Sequence, residues 1–68
     1  MPNYVVNDNA QSNGDHEVHT TSCVYYPKIK SYTNLGWHSD CHSAVREAKK
    51  HYDQSNGCAT CSESCHTS

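Results

Sequence analysis

The chain has 68 residues, with seven acidic and five basic side chains and a net charge of −2 when histidine is neutral. That length admits one domain, and that charge excludes the basic face a nucleic-acid binder needs. No apolar run approaches the roughly 20 residues of a membrane span, and the start MPNYVVNDN has neither the basic nor the apolar part of a secretory leader, so the expected location is the cytosol.

Five cysteines and six histidines stand beside no phenylalanine and few branched aliphatic residues. Trp37 and the tyrosines Tyr4, Tyr25, Tyr26, Tyr32 and Tyr52 must therefore supply much of the core. In so small a chain, area burial and chain entropy nearly cancel, and a staple or a partner subunit is expected. Cytosolic thiols are kept reduced, and an odd cysteine count leaves one over from any disulfide framework. The cysteines thus read first as metal ligands or catalytic groups.

In chain order, residues 3–8 read as a strand on Tyr4, Val5 and Val6. Asn13-Gly14-Asp15 marks a turn, and residues 16–25 form a second extended run, so the two strands make a hairpin with a long loop. Pro27 to Lys30 breaks the chain again. Residues 31–38 give a third strand, with Thr33, Leu35 and Trp37 on one face and Gly36 signalling a bulge. The period then changes. Ser39-Asp40 supplies an N-cap, and Cys41, Ala44, Val45, Ala48 and Tyr52 form one apolar stripe of a helix over about 41–53. Asn56-Gly57 reads as its stop, with Gly57 in the left-handed conformation. The expected fold is α+β. A three-stranded antiparallel meander packs on one helix, and residues 1–68 form one small domain. The irregular Cys-rich tail, 58–68, is either flexible or pinned by metal.

A meander sorts the chemistry into two ends. Cys23 and the tail residues Cys58, Cys61, Cys65 and His66 fall at one end; His16, His38, Cys41 and His42 fall at the other. Cys58-Ala59-Thr60-Cys61 is a C-x2-C pair, a spacing that lets two thiolates share one tetrahedral ion. Cys65 comes next as a third ligand, with His66 as its substitute, and Cys23 supplies the fourth from the sheet. Zinc at Cys23, Cys58, Cys61 and Cys65 would convert binding energy into folding energy. The competing interpretations are a reduced tail with ordinary thiols and a Cys58/Cys61 redox pair. At the other end, Cys41 opens the helix, where free backbone N–H groups favour a thiolate. His38 and His42 flank it as candidate bases, against its plainer role as a small buried residue of the apolar stripe. Gly14-Asp15-His16-Glu17-Val18-His19 is not a metalloprotease helix, because its histidines are three apart and lie on a strand. They point to opposite faces.

These features together (NGDHEVH at 13–19, Cys23, Pro27, Leu35-Gly36, the run CHSAVREAKK from Cys41 to Lys50, and NGCATCSESCHTS at the end) resemble a group of small bacterial proteins. The resemblance covers almost the whole chain and implies no activity. The β-β-β-α order is also similar to one unit of the small YegP-like domains, on element order alone. We expect a non-catalytic interaction or structural module with a structural zinc site, working with a protein partner or with copies of itself, and with neither nucleic acid nor membrane. The alternative is a thiol-dependent redox protein or enzyme using Cys41 or the Cys58/Cys61 pair.

Overall fold

Tyr4, Val5 and Val6 carry the strongest strand signal, and all three are buried. In the computed structural model, which describes residues 3–66, they lie in β1 (Asn3–Asn7). β2 (His16–Thr20) pairs antiparallel with β1 in the expected hairpin. The connecting loop turns at Gly14, whose φ of +92° a side chain would oppose. Asn13 closes the turn by accepting the Asp15 N–H on Oδ1 at 2.9 Å.

β2 ends at Thr20 rather than running on to Tyr25. The Cys23 N–H donates to the Thr20 carbonyl (3.1 Å) and the Tyr26 N–H to the Cys23 carbonyl (3.0 Å). A short 3-10 turn, Tyr26–Lys28, comes next with Pro27 near its start, where a missing N–H and a fixed φ cost nothing.

The meander is overturned at the next strand. β3 (Tyr32–Trp37) pairs antiparallel with the free edge of β1, not with β2. The segment between β2 and β3 is long enough to cross the sheet, and it places the most apolar strand between two neighbours, where its burial is greatest. β3 therefore runs in the same direction as β2. A register shift in the β1–β3 ladder accompanies Gly36, at φ +81°, which is the bulge its position suggested. The shift separates the residues expected to share a face: Leu35 is buried in the core, while Trp37 pairs opposite Asn3 and is half exposed.

Helix α1 (Cys41–Ala48) begins where expected, with Asp40 Oδ1 accepting the Ser43 N–H at 3.1 Å. It ends five residues short of the expected boundary. Its last turn loosens through bonds from the Lys50 and His51 N–H groups to the Glu47 and Ala48 carbonyls. Tyr52 anchors the chain beyond the helix: its ring stacks on His16 at 3.9 Å between centroids, and its hydroxyl donates to Asp8 Oδ1 at 2.9 Å. The stripe itself is as expected, with Cys41, Ala44 and Ala48 buried and Val45 and Tyr52 packed against the cluster.

Ser55–Gly57, expected as the helix stop, is a fourth strand. β4 pairs parallel with β2, His16 opposite Ser55 and Val18 opposite Gly57. Gly57 does not have a positive φ. The sheet is thus four-stranded and mixed, in the order β3-β1-β2-β4. One face carries Tyr4, Val6, Val18 and Leu35 against α1 and Cys65. Val6 and Val18 are fully buried there, each contributing about 1.5–3 kcal/mol of transfer free energy. The tail ends in a 3-10 turn, Glu63–Cys65; Thr67 and Ser68, the end of the expected tail, lie outside the described residues. No helix among the described residues is long and apolar enough to cross a membrane.

Candidate metal centre

Strand alternation sets the first ligand. Val18 faces α1, so His19 must face away from it, opposite Val5, and there it is buried. Cys23 enters from the turn after β2. Cys58 comes directly after β4, and its N–H donates to the Val18 carbonyl at 3.0 Å, continuing the parallel ladder beside β2. The Ser62 N–H then donates to the Cys58 carbonyl at 2.9 Å, a turn that brings Cys61 back alongside Cys58.

These four side chains converge. His19 Nδ1 lies 3.7 Å from Cys23 Sγ and 3.8 Å from Cys61 Sγ. The ligand atoms of His19, Cys23, Cys58 and Cys61 all lie within 4.8 Å of one another. Zinc bonds of about 2.3 Å to sulfur and 2.0–2.1 Å to nitrogen give tetrahedral edges of roughly 3.5–3.8 Å. Closing the group onto an ion therefore asks for side-chain movements of at most about 1 Å. Three of the four residues are buried and Cys61 is half-buried. A cleft of about 410 Å³ reaches the site, with His19 and Cys58 in its wall, and offers an entry path.

The surroundings suit ligation. Burial holds the His19 imidazole below its ordinary value of 6.5, against an opposing pull from Glu17, so the neutral, ligating form is favoured. Glu17 Oε1 stands 3.5 Å from His19 Nε2. That arrangement favours the ring proton on Nε2 and the Nδ1 lone pair toward the thiols, the placement of a carboxylate behind a ligating histidine. Cys58 Sγ accepts the Thr60 N–H and Cys61 Sγ accepts the Thr20 N–H, each at 3.4 Å; such bonds stabilise a thiolate. Burial pushes the Cys61 thiol up, with Cys23 adding to it, so the protonated form is favoured there in the absence of an ion.

Of the residues singled out in the sequence, Cys23, Cys58 and Cys61 come together and Cys65 does not join them. The Glu63–Cys65 turn carries Cys65 to the helix side of the sheet, where it forms a disulfide with Cys41. His66 is not among the four converging residues, and its Nδ1 donates to the Gly57 carbonyl at 3.0 Å. The fourth place is taken by His19, which sequence reasoning left out as a sheet residue. A signal was present. His19-x3-Cys23 is a ligand pair of acceptable spacing, the partner that the lone Cys58-x2-Cys61 pair lacked. It is obscured if residues 16–25 form one continuous strand, whereas β2 ends at Thr20 and Cys23 lies on the turn after it.

The separation into two ends also fails. Because β3 runs alongside β2 in direction, α1 starts at the end where β2 finishes, and Cys41 lies near the tail. Its sulfur is bonded to Cys65, so it is no free nucleophile in this state, and the expectation of uniformly reduced thiols does not hold for this pair. His38 serves elsewhere: Nε2 donates to the Leu35 carbonyl at 2.9 Å, and Nδ1 lies 3.0 Å from Ser43 Oγ. His16 donates from Nδ1 to the Asn7 carbonyl at 2.9 Å and, as alternation requires, takes no part in the centre formed by His19. Comparison of the chain with protein-family models, with curated proteins and with solved structures finds no match.

Proposed function

We propose that the chain is a small non-catalytic module whose His19–Cys23–Cys58–Cys61 centre holds zinc as a structural staple. The observation that carries this is the convergence of four ligand atoms from two distant chain segments within 4.8 Å. Four protein ligands fill a tetrahedral ion and leave no position for substrate, which is the pattern of a structural site. The ion would lock β4 and the tail to β2, and its binding energy would add to the folding energy of a domain with a small core. The module would act in the cytosol on a protein partner or on its own copies, and the half-exposed Trp37 and Tyr32 of the edge strand β3 are its natural contact residues.

The test is metal stoichiometry. Protein produced with zinc and kept in its one-disulfide form is expected to hold one ion per chain by native mass spectrometry. Cobalt(II) in its place should give the visible bands of a tetrahedral thiolate site. Cys61→Ser should lose the ion, and Glu17→Gln should weaken binding by about 10–100-fold, as removing a partner behind the ligand does. A one-disulfide protein that holds no ion and melts at the same temperature with and without chelator would refute the structural-zinc assignment.

A further inference from the structure

The Cys41–Cys65 disulfide has a third residue beside it. His42 is exposed on the first turn of α1, and its Nδ1 lies 3.3 Å from Cys65 Sγ. The ligand atoms of Cys41, His42 and Cys65 all lie within 4.8 Å of one another. The two cysteines have Cα atoms 6.2 Å apart. That separation satisfies a disulfide and equally lets two thiolates sit on one tetrahedral ion after small side-chain rotations, since the sulfurs then need a spacing of roughly 3.8 Å.

We propose that reduction of Cys41–Cys65 converts the bridge into a second metal site, made of Cys41, His42 and Cys65 and taking zinc or another borderline-soft divalent ion. This site uses none of the four residues of the first centre. The conversion balances with a low-molecular-weight thiol as reductant. Two thiols deliver two electrons and two protons to the S–S bond and leave as their own disulfide, and the ion then displaces the two protons from the Cys41 and Cys65 thiols. Ser64 Oγ, 3.2 Å from Cys41 Sγ, is placed to donate a hydrogen bond to the new thiolate. The start of α1 favours negative charge on Cys41.

Three protein ligands leave a fourth position. A cavity of about 220 Å³ borders the group, with His42, Lys49, Ser64 and Cys65 in its wall, so water or a small anion completes the coordination. The first centre is closed by four protein ligands and the second is open, so the second exchanges its ion faster. The pair therefore works as either bridge or chelate, and the surrounding redox potential selects which. In a reducing compartment the tail keeps its tie to α1 in metallated form.

The experiment is native mass spectrometry of the full chain with zinc, before and after treatment with a trialkylphosphine, which takes oxygen from water as it reduces the bridge and does not compete as a thiol would. The expected result is one more ion on the fully reduced species than on the one-disulfide species. Cys65→Ser, which cannot form the bridge, should hold one ion fewer than the fully reduced native chain, and in His42→Ala, whose exposed position leaves the fold undisturbed, the added ion should bind roughly tenfold or more weakly. Cys61→Ser should remove the first ion and leave the increment. Thus if the one-disulfide species holds no ion, the structural-zinc assignment fails while the increment still reports on this site. Equal ion counts in the two redox states, a Cys65→Ser chain holding as many ions as the fully reduced native chain, or an increment unchanged in His42→Ala would overturn the second site.

Discussion

A Cβ built on Gly57 would sit 2.7 Å from Cys65 Cβ, 2.8 Å from the Ser62 carbonyl oxygen and 2.9 Å from the Cys65 carbonyl carbon. Two of those three atoms are backbone, so the tail would have to shift. The demand on this glycine is space, since its φ is not in the left-handed region. Gly57→Ala is expected to cost about 1–3 kcal/mol by overpacking, read as a lower urea midpoint with unchanged slope, and to loosen the turn that presents Cys58 and Cys61. At this scale, the sequence disclosed which residue types carry chemistry but only part of how they group. Cys58 and Cys61 are legible because C-x2-C is a local constraint. Cys65 groups with them on proximity in sequence alone, while its neighbours steer it to the opposite face of the sheet. His19 depends on where β2 stops, which is set by two backbone hydrogen bonds around Cys23 and not by the side chains of the run.

Helix α1 is the element most legible in the sequence. Its cap, its stripe and its first residue all follow from local rules, and Asp40→Ala should lower stability by about 1 kcal/mol by removing the bond from the Ser43 N–H, measured by chemical denaturation. Its end is not legible, because a tertiary anchor, Tyr52 on His16 and Asp8, ends the helical run where the stripe alone would continue it. β4 is hidden for a related reason. Ser-Asn-Gly has no strand propensity, and the segment is extended only because β2 offers a free edge. The meander fails at β3, since pairing with β1 or with β2 satisfies the same alternation, and the choice rests on which arrangement buries β1 on both sides. The disulfide ties the last 3-10 turn to the first residue of α1 with a sequence separation of 24. A closed loop of that size contributes about 3 kcal/mol in the chain-entropy model, which offsets part of what a thin core lacks.

For the molecule as a whole, acid is the expected weakness. Asp8 lies just beyond the end of β1 and accepts hydrogen bonds from Thr33 (2.6 Å), Ser31 (2.7 Å) and Tyr52 (2.9 Å). The bonds from Thr33 and Ser31 chiefly hold its carboxyl below the ordinary 3.8. A carboxyl depressed in the folded state contributes stability that is fully present above its unfolded value and is lost as pH falls through its folded value. Thermal melts of the metal-free protein should therefore decline as pH falls below 3.8, and Asp8→Asn should flatten part of that decline while lowering the melting temperature at neutral pH. Among these features, the parallel pairing of β4 with β2 has a kinetic consequence. Its partners are far apart in the chain, and their contact is expected to form after the hairpin, β3 and α1 have shortened the intervening loop, because the entropy of closing it must be met before the pairing returns anything. The tail is thus expected to dock last, so that in pulse-labelled hydrogen exchange during refolding the Cys58 amide should gain protection after those of β1 and β2. Zinc capture at the His19–Cys23–Cys58–Cys61 centre would then wait on that docking, and the ion would arrive as a latch on a nearly finished fold rather than as the nucleus from which it grows.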